Sequence, residues 1–218
     1  MQLLIATSNP HKIEEIMAVV NEAGATLALT SLKDAGIDVP EPIEDQDTFA
    51  GNALLKANYY AKQSNMPCLA DDSGLEVDAL GGAPGVISAR YSGTTGGRDI
   101  VDPANNKKLL DELGGTPADQ RTARFVCAVA VAWPNNEHEP IQVRGTFEGR
   151  IITTDQADDP DEPHKGRGIN GFGYDPLFWL QTQGCTSAEL SPAAKNAISH
   201  RGDATRKLIT VLNANKPT

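Results

Sequence analysis

The stretch "MPCLADDSGLEVDALGGAPG" places two adjacent carboxylates, Asp71 and Asp72, at the end of a short apolar run and directly before Ser73 and Gly74. Ionised carboxylates beside apolar residues are unfavourable unless a cation meets them. Carboxylates at a strand end, joined by Glu44 from an acidic loop, suit magnesium, which prefers oxygen ligands and keeps several waters. An acidic turn at a strand end is the plainer alternative. Successive side chains of a strand point to opposite faces, so both aspartates share a face only if the strand has broken, and Ser73–Gly74 suggests that break.

Other residues could handle an anion. "ATSNPHK" reads as a strand feeding a helix capped by Asn9, with Pro10 in its first turn. Such a helix start offers unpaired N–H groups to a phosphate, and Lys12 adds a full charge. Lys56 falls on a helix just before the double aspartate. Further on, Phe172 and Tyr174 of "GFGYDP" could stack on a base, Lys195 could meet a phosphate, and His200 with Arg201 could donate to a ring edge. Each has an ordinary counterpart: a capped helix with solvated lysines, core aromatics, and a His-Arg pair at a helix terminus. There is no GxGxxG and no GxxxxGK[ST], so a dinucleotide fold and a P-loop are poorly supported.

The elements that must position these residues are legible in outline. Strands are expected over 2–7, 25–32, "PCLAD" and 121–133, with 140–154 as an antiparallel partner of the last across "PNNEHE". A short strand and a glycine-rich loop follow from Gly74. Helices are expected over 9–24, with Ile13, Ile16, Met17 and Val20 on one face, from about Asp47 to Asn65, over 102–115, from Ser191, and over 202–215. Segments 34–46 and 155–176 read as loops, the second long and acidic. Alternating strands and helices with one hairpin imply an α/β fold on a mixed sheet.

The 218 residues suit a single domain, and the formal charge of −10 would repel a nucleic-acid backbone. The three cysteines form no CxxC pair and no metal-ligand spacing, so reduced thiols are expected. No segment has the ~18 apolar residues of a membrane span, and the N-terminus lacks a signal-peptide pattern, so a cytoplasmic protein is expected.

Five segments together resemble one family: "LLIATSNPHKIEEI", "TFAGNALLKA", "PCLADDSGLEVDALGGAPGVISARYSG", "GFGYDPLF" and "SAELSPAAKNAISHRGDA". In order, and spanning residues 3 to 204, they are similar to the inosine triphosphate pyrophosphatases, the Ham1-like hydrolases of non-standard purine nucleotides. The resemblance implies a single domain over 1–218, built as a long central mixed β-sheet flanked by helices, in two lobes with the active site in the cleft between them. It implies a homodimer that uses Mg2+ to cleave ITP, dITP or XTP to the monophosphate and pyrophosphate, with no nucleic-acid polymer or membrane as partner.

Carried over by motif, Thr7, Ser8, Asn9 and Lys12 would contact the triphosphate. Asp72 would accept a proton and bind metal with Glu44, whose place Glu41 or Asp45 could take. Asp71 and Lys56 would line the reacting centre, and Ser73 would touch the nucleotide. Phe172, Gly173, Tyr174 and Asp175 would form the base and sugar wall with Lys195, His200 and Arg201, the last two reading the purine 6-keto oxygen. The family's first motif usually has glycine where this chain has Ser8. If that turn needs φ > 0, serine costs roughly 1 kcal/mol more than glycine. The acidic stretch before "GFGYD" is longer than usual, as a rim, a lid or plain surface. A Maf-type pyrophosphatase with other base preference, or a non-catalytic nucleotide sensor, are the rival readings.

Overall fold

A computed structural model describes residues 1–136 and 138–214. Its strands are β1 (Gln2–Ile5), β2 (Ala28–Ser31), β3 (Cys68–Val77), β4 (Thr122–Ala132), β5 (Ile141–Ile151), β6 (Phe178–Leu180) and β7 (Cys185–Thr186). Its α-helices are α1 (Pro10–Glu22), α2 (Phe49–Ser64), α3 (Arg98–Leu113), α4 (Pro192–Ile198) and α5 (His200–Ala214). The strands form one sheet in the order β2-β1-β3-β4-β5-β6-β7. It is mixed, because β1 pairs in parallel with β2 and β3, whereas β5, β6 and β7 pair antiparallel.

The chain forms two compact units. Among the described residues, the first comprises 1–73, 126–136, 138–146 and 196–214, and the second 74–125 and 147–195. The core of the first packs Leu3, Ile5 and Leu69 with Ile16 and Val20 of α1 and Leu208 of α5. Leu3 and Leu4 are neighbours on β1, yet both have no exposed surface, so both faces of the strand are covered and its sequence does not alternate. The core of the second unit gathers Leu75, Val77, Leu109, Leu113, Phe147 and Phe178.

The helix signals act locally as expected. Asn9 Oδ1 accepts from His11 N at the start of α1, and Pro10 opens the helix. Thr48 Oγ1 accepts from Gly51 N to cap α2, which ends at Asn65 in the left-handed region (φ 54°).

Several boundaries differ from the sequence reading. β1 stops at Ile5 and β2 begins at Ala28, and on α1 Val19 is buried where Met17 is exposed. α3 starts at Arg98, so Pro103 lies inside it; the Arg98–Asp102 pair at 3.5 Å closes the turn before the proline. β6 and β7 are too short to show a period. The most consequential difference is in β3, which does not break at Ser73–Gly74 but runs on to Val77. Glu137 of the "PNNEHE" connection and Asn215 of the last expected helix lie outside the described residues.

Candidate active site

Because β3 is continuous, Asp71 and Asp72 must face opposite sides of the strand. Their partners differ accordingly. Asp71 Oδ2 lies 3.0 Å from Lys12 Nζ of α1 and 3.3 Å from Arg201 Nη2 of α5, and it accepts from the Cys127 thiol. Asp72 instead faces α2 and the acidic loop. Its Oδ2 accepts from Asn52 Nδ2 at 3.1 Å, and its Oδ1 lies 3.6 Å from Lys56 Nζ.

The two carboxylates are driven in opposite electrostatic directions. Burial alone would raise the pKa of Asp71, but Lys12, Arg201 and Lys56 outweigh it and hold the group well below the usual carboxylate range. For Asp72 burial wins. Its pKa is raised, with Glu44 pushing the same way and Lys56, Lys12 and the Asn52 hydrogen bond opposing. Burial would lower the pKa of Lys56, yet Asp71, Asp72 and Glu44 together raise it, so it stays cationic. Asp71 is thus an anion held by full ion pairs. A buried carboxylate with raised basicity is suited to accept a proton.

Glu44 Oε1 lies 2.5 Å from Lys56 Nζ, so Glu44 and Asp72 converge on one ammonium. The two alternatives in that loop are engaged elsewhere: Glu41 accepts from Ser8 Oγ at 2.6 Å, and Asp45 from Gln46 Nε2 at 2.7 Å. No three His, Cys, Asp or Glu side chains cluster as a metal cage among the described residues. Magnesium does not need one, since one or two carboxylates, waters and substrate phosphate oxygens complete its shell. Two acidic side chains meeting around a positive charge fit that donor set.

The turn before α1 needs no glycine. Ser8 is not among the described residues with positive φ, so the expected strain is absent, and its hydroxyl holds Glu41 instead. Thr7 Oγ1 accepts from Asn9 N at 3.2 Å and so shapes the same turn.

Arg201 is held tightly within the fold. It is 1 % exposed, and its guanidinium donates to Asp71, to Ser73 Oγ at 2.8 Å and to Glu15. These contacts engage four of its five N–H donors. His200, beside it, is 6 % exposed. The start of α5 is seated by Gly145 of β5, where a Cβ would lie 2.1 Å from the His200 carbonyl oxygen and 2.5 Å from Ala204 N. The sequence reading passed over Gly145; an isolated glycine within a strand pattern is the signal for such a close approach.

The second unit carries its own cluster. Asp175, buried, accepts from Lys195 Nζ at 2.5 Å, from Phe172 N at 2.8 Å and from Ser187 Oγ at 2.9 Å. Gly171 must be glycine here: its φ is +77°, and a Cβ would sit 2.2 Å from Asp175 Oδ2. The Phe172 ring has Arg98 Cζ at 4.8 Å and Lys195 Nζ at 5.2 Å from its centroid, both within cation–π range. Gly173 N donates to Asp102, and its carbonyl accepts from Asn106. Tyr174, expected to stack on a base, lies instead in the hydrophobic core and donates its hydroxyl to the Ser88 carbonyl. The sequence reading also missed Asn52, Arg98 and Asp102. Asn52 stood inside a quoted motif, whereas Arg98 and Asp102 gain their places only because α3 begins early.

Comparison with known proteins identifies the family. The Ham1 family model matches residues 3–211. A dITP/XTP pyrophosphatase of Geobacter sulfurreducens is 47% identical over 203 residues, covering 93% of this chain and 92% of the relative. Another protein of that name, from Exiguobacterium sibiricum, is 45% identical and covers 97% of both chains. Among solved structures, a HAM1 protein from Coxiella burnetii superposes with a TM-score of 0.81 at 36% identity, over 98% of this chain and 99% of that one. The Staphylococcus aureus Ham1 protein gives 0.79 at 36% identity, over 99% and 100%. The chain belongs to the Ham1 family.

Proposed function

We propose that this protein hydrolyses deaminated purine nucleoside triphosphates, dITP, ITP and XTP, to the nucleoside monophosphate and pyrophosphate. The observation that carries the reading is the opposed pair on β3: Asp71 locked to Lys12 and Arg201, and Asp72 buried beside Lys56 and Glu44. Relatives matched over nearly their full length are named dITP/XTP pyrophosphatases, which supports that substrate class.

Attack on the α-phosphorus needs a positioned water, a neutralised triphosphate and a stabilised leaving group, and the protein's share is mostly positioning and charge. The α1 N-terminus and Lys12 would meet the phosphates, with Asp71 fixing the lysine in place. Asp72 would orient the water and accept its proton, and Lys56 would balance the charge that gathers there. Glu44 and Asp72 would hold magnesium, which when bound lowers the pKa of water and screens phosphate charge. Phe172, with Asp175 and Lys195 fixed beside it, is retained as the base and sugar wall. Reading of the 6-keto oxygen is assigned to His200, Arg201 and nearby backbone N–H groups. Adenine presents an amino group there and would leave a buried donor unpaired, costing ~1–3 kcal/mol per lost bond.

We further propose a magnesium-dependent, cytoplasmic homodimer, with the dimer checked by sedimentation equilibrium. Among the described residues no helix is long and apolar enough to cross a membrane. The deciding experiment is a panel of standard and deaminated triphosphates with pyrophosphate and orthophosphate measured separately. Preference for ITP, dITP and XTP over ATP by ~10²-fold in kcat/KM, with pyrophosphate as product, is expected. Equal use of ATP, or release of orthophosphate, would overturn the reading.

A further inference from the structure

Asn52 lies on the first turn of α2 with no exposed surface, and its amide is fully occupied. Its Oδ1 accepts from Gln46 N at 3.0 Å, and its Nδ2 donates to Asp72 Oδ2 at 3.1 Å and to the Gln46 carbonyl at 3.4 Å. A backbone N–H can only donate, so Gln46 N dictates which end of the amide is oxygen. The nitrogen is thereby directed at the carboxylate. Gly51 makes this seat possible, because a Cβ there would lie 2.9 Å from Gln46 Cβ. One side chain therefore ties Asp72 on β3 to the loop that carries Glu44, two residues before Gln46.

We infer that Asn52 is a positioning residue that sets the distance between the two acidic side chains of the site, Asp72 and Glu44, by clamping the Gln46 backbone to the Asp72 carboxylate. Its donated hydrogen bond also occupies Oδ2, which leaves Oδ1 as the oxygen turned toward Lys56. This inference rests on reading Asp72 and Glu44 as the working carboxylates of a nucleotide hydrolase. It adds a buried amide that touches neither substrate nor metal but decides where both acids stand.

The test uses the full-length protein with Asn52→Ala and Asn52→Asp. The alanine removes both halves of the clamp. The aspartate keeps an acceptor for Gln46 N but cannot, when ionised, donate to Asp72. For Asn52→Ala, amide exchange at Gln46 should accelerate at least about tenfold. Mn2+ binding without nucleotide, followed by electron paramagnetic resonance, should weaken by about tenfold, and kcat for ITP should fall by about as much, with KM nearly unchanged. For Asn52→Asp, Gln46 should stay protected while kcat still falls. A folded alanine variant that exchanges Gln46 and binds Mn2+ as the wild type does would overturn the inference, as would Asn52→Asp with wild-type kcat. Lowered unfolding free energy alone, with kcat and Mn2+ binding intact, would make Asn52 a stability residue and overturn it equally. If the alanine variant does not fold, the aspartate variant decides. A wild-type protein that releases no pyrophosphate from ITP would remove the functional reading, and Gln46 exchange with Mn2+ binding would still decide the clamp.

Discussion

Arg201 Nη2 and Asp71 Oδ2 lie 3.3 Å apart, although 130 residues separate them in sequence. The contact closes a row that runs from Glu15 through Arg201 and Asp71 to Lys12, joining α1, α5 and β3. A buried arginine in such a row helps fix where Lys12, the proposed phosphate contact, stands.

Breaking that row should be costly. Asp71→Asn leaves Arg201 and Lys12 without their shared anion, and loss of one partner of a buried ion pair typically costs ~3–5 kcal/mol. Urea unfolding at neutral pH measures it. The pH dependence has a fixed sign, because the folded pKa of Asp71 is depressed. Its contribution is fully present above the unfolded value of about 3.9 and is lost as pH falls through that value toward the lower folded one. The gap in stability between wild type and Asp71→Asn should therefore be widest near neutrality and shrink below about pH 4.

Arg201→Lys separates two roles for that position. If the guanidinium serves Asp71, Ser73 and Glu15, the lysine variant should lose stability and some turnover but keep the wild-type ratio of kcat/KM for ITP over ATP. A collapse of that ratio, with stability intact, would show that Arg201 serves base recognition.

Asp72→Asn should still fold, although its amide has a single acceptor oxygen for the two donors Asn52 Nδ2 and Ser73 N, so a stability loss of about 1–3 kcal/mol accompanies it. Turnover should drop by ~10²–10⁴, the usual worth of a positioned general base. Single-turnover kinetics with ITP checks it, and turnover within a few-fold of wild type would take Asp72 out of the chemistry.

Gly145→Ala tests the seat of α5. The added methyl would collide with the His200 carbonyl and Ala204 N, both backbone atoms that cannot rotate away. A loss of ~1–3 kcal/mol is expected from forced repacking. Thermal unfolding together with the near-ultraviolet spectrum should show it, and a variant as stable as wild type would mean that α5 moves freely over β5.

Much of this was written locally in the chain, and what was not depended on contacts far apart in sequence. Asn9, Pro10 and Thr48 act through partners two or three residues away, so α1 and the start of α2 were readable. Asp71, Asp72, Lys12 and Lys56 stood out as candidates because carboxylates and lysines are conspicuous near apolar runs, and the motif resemblance suggested roles for them. The strand break at Ser73–Gly74 was misread because turn residues weaken a strand only when nothing pairs with it, and β3 lies between β1 and β4. The packing of Arg201 was illegible for the same reason. Nothing near position 201 announces that Asp71 and Glu15 will consume its donors. Tyr174 was ambiguous from the start, since an aromatic ring suits a core as well as a base.

Attack of water at the α-phosphorus is read by turnover of ITP in 18O-labelled water with magnesium, followed by mass spectrometry of both products. The label should appear in inosine monophosphate, with the pyrophosphate unlabelled. Label in the pyrophosphate, or a diphosphate with labelled orthophosphate, would contradict it.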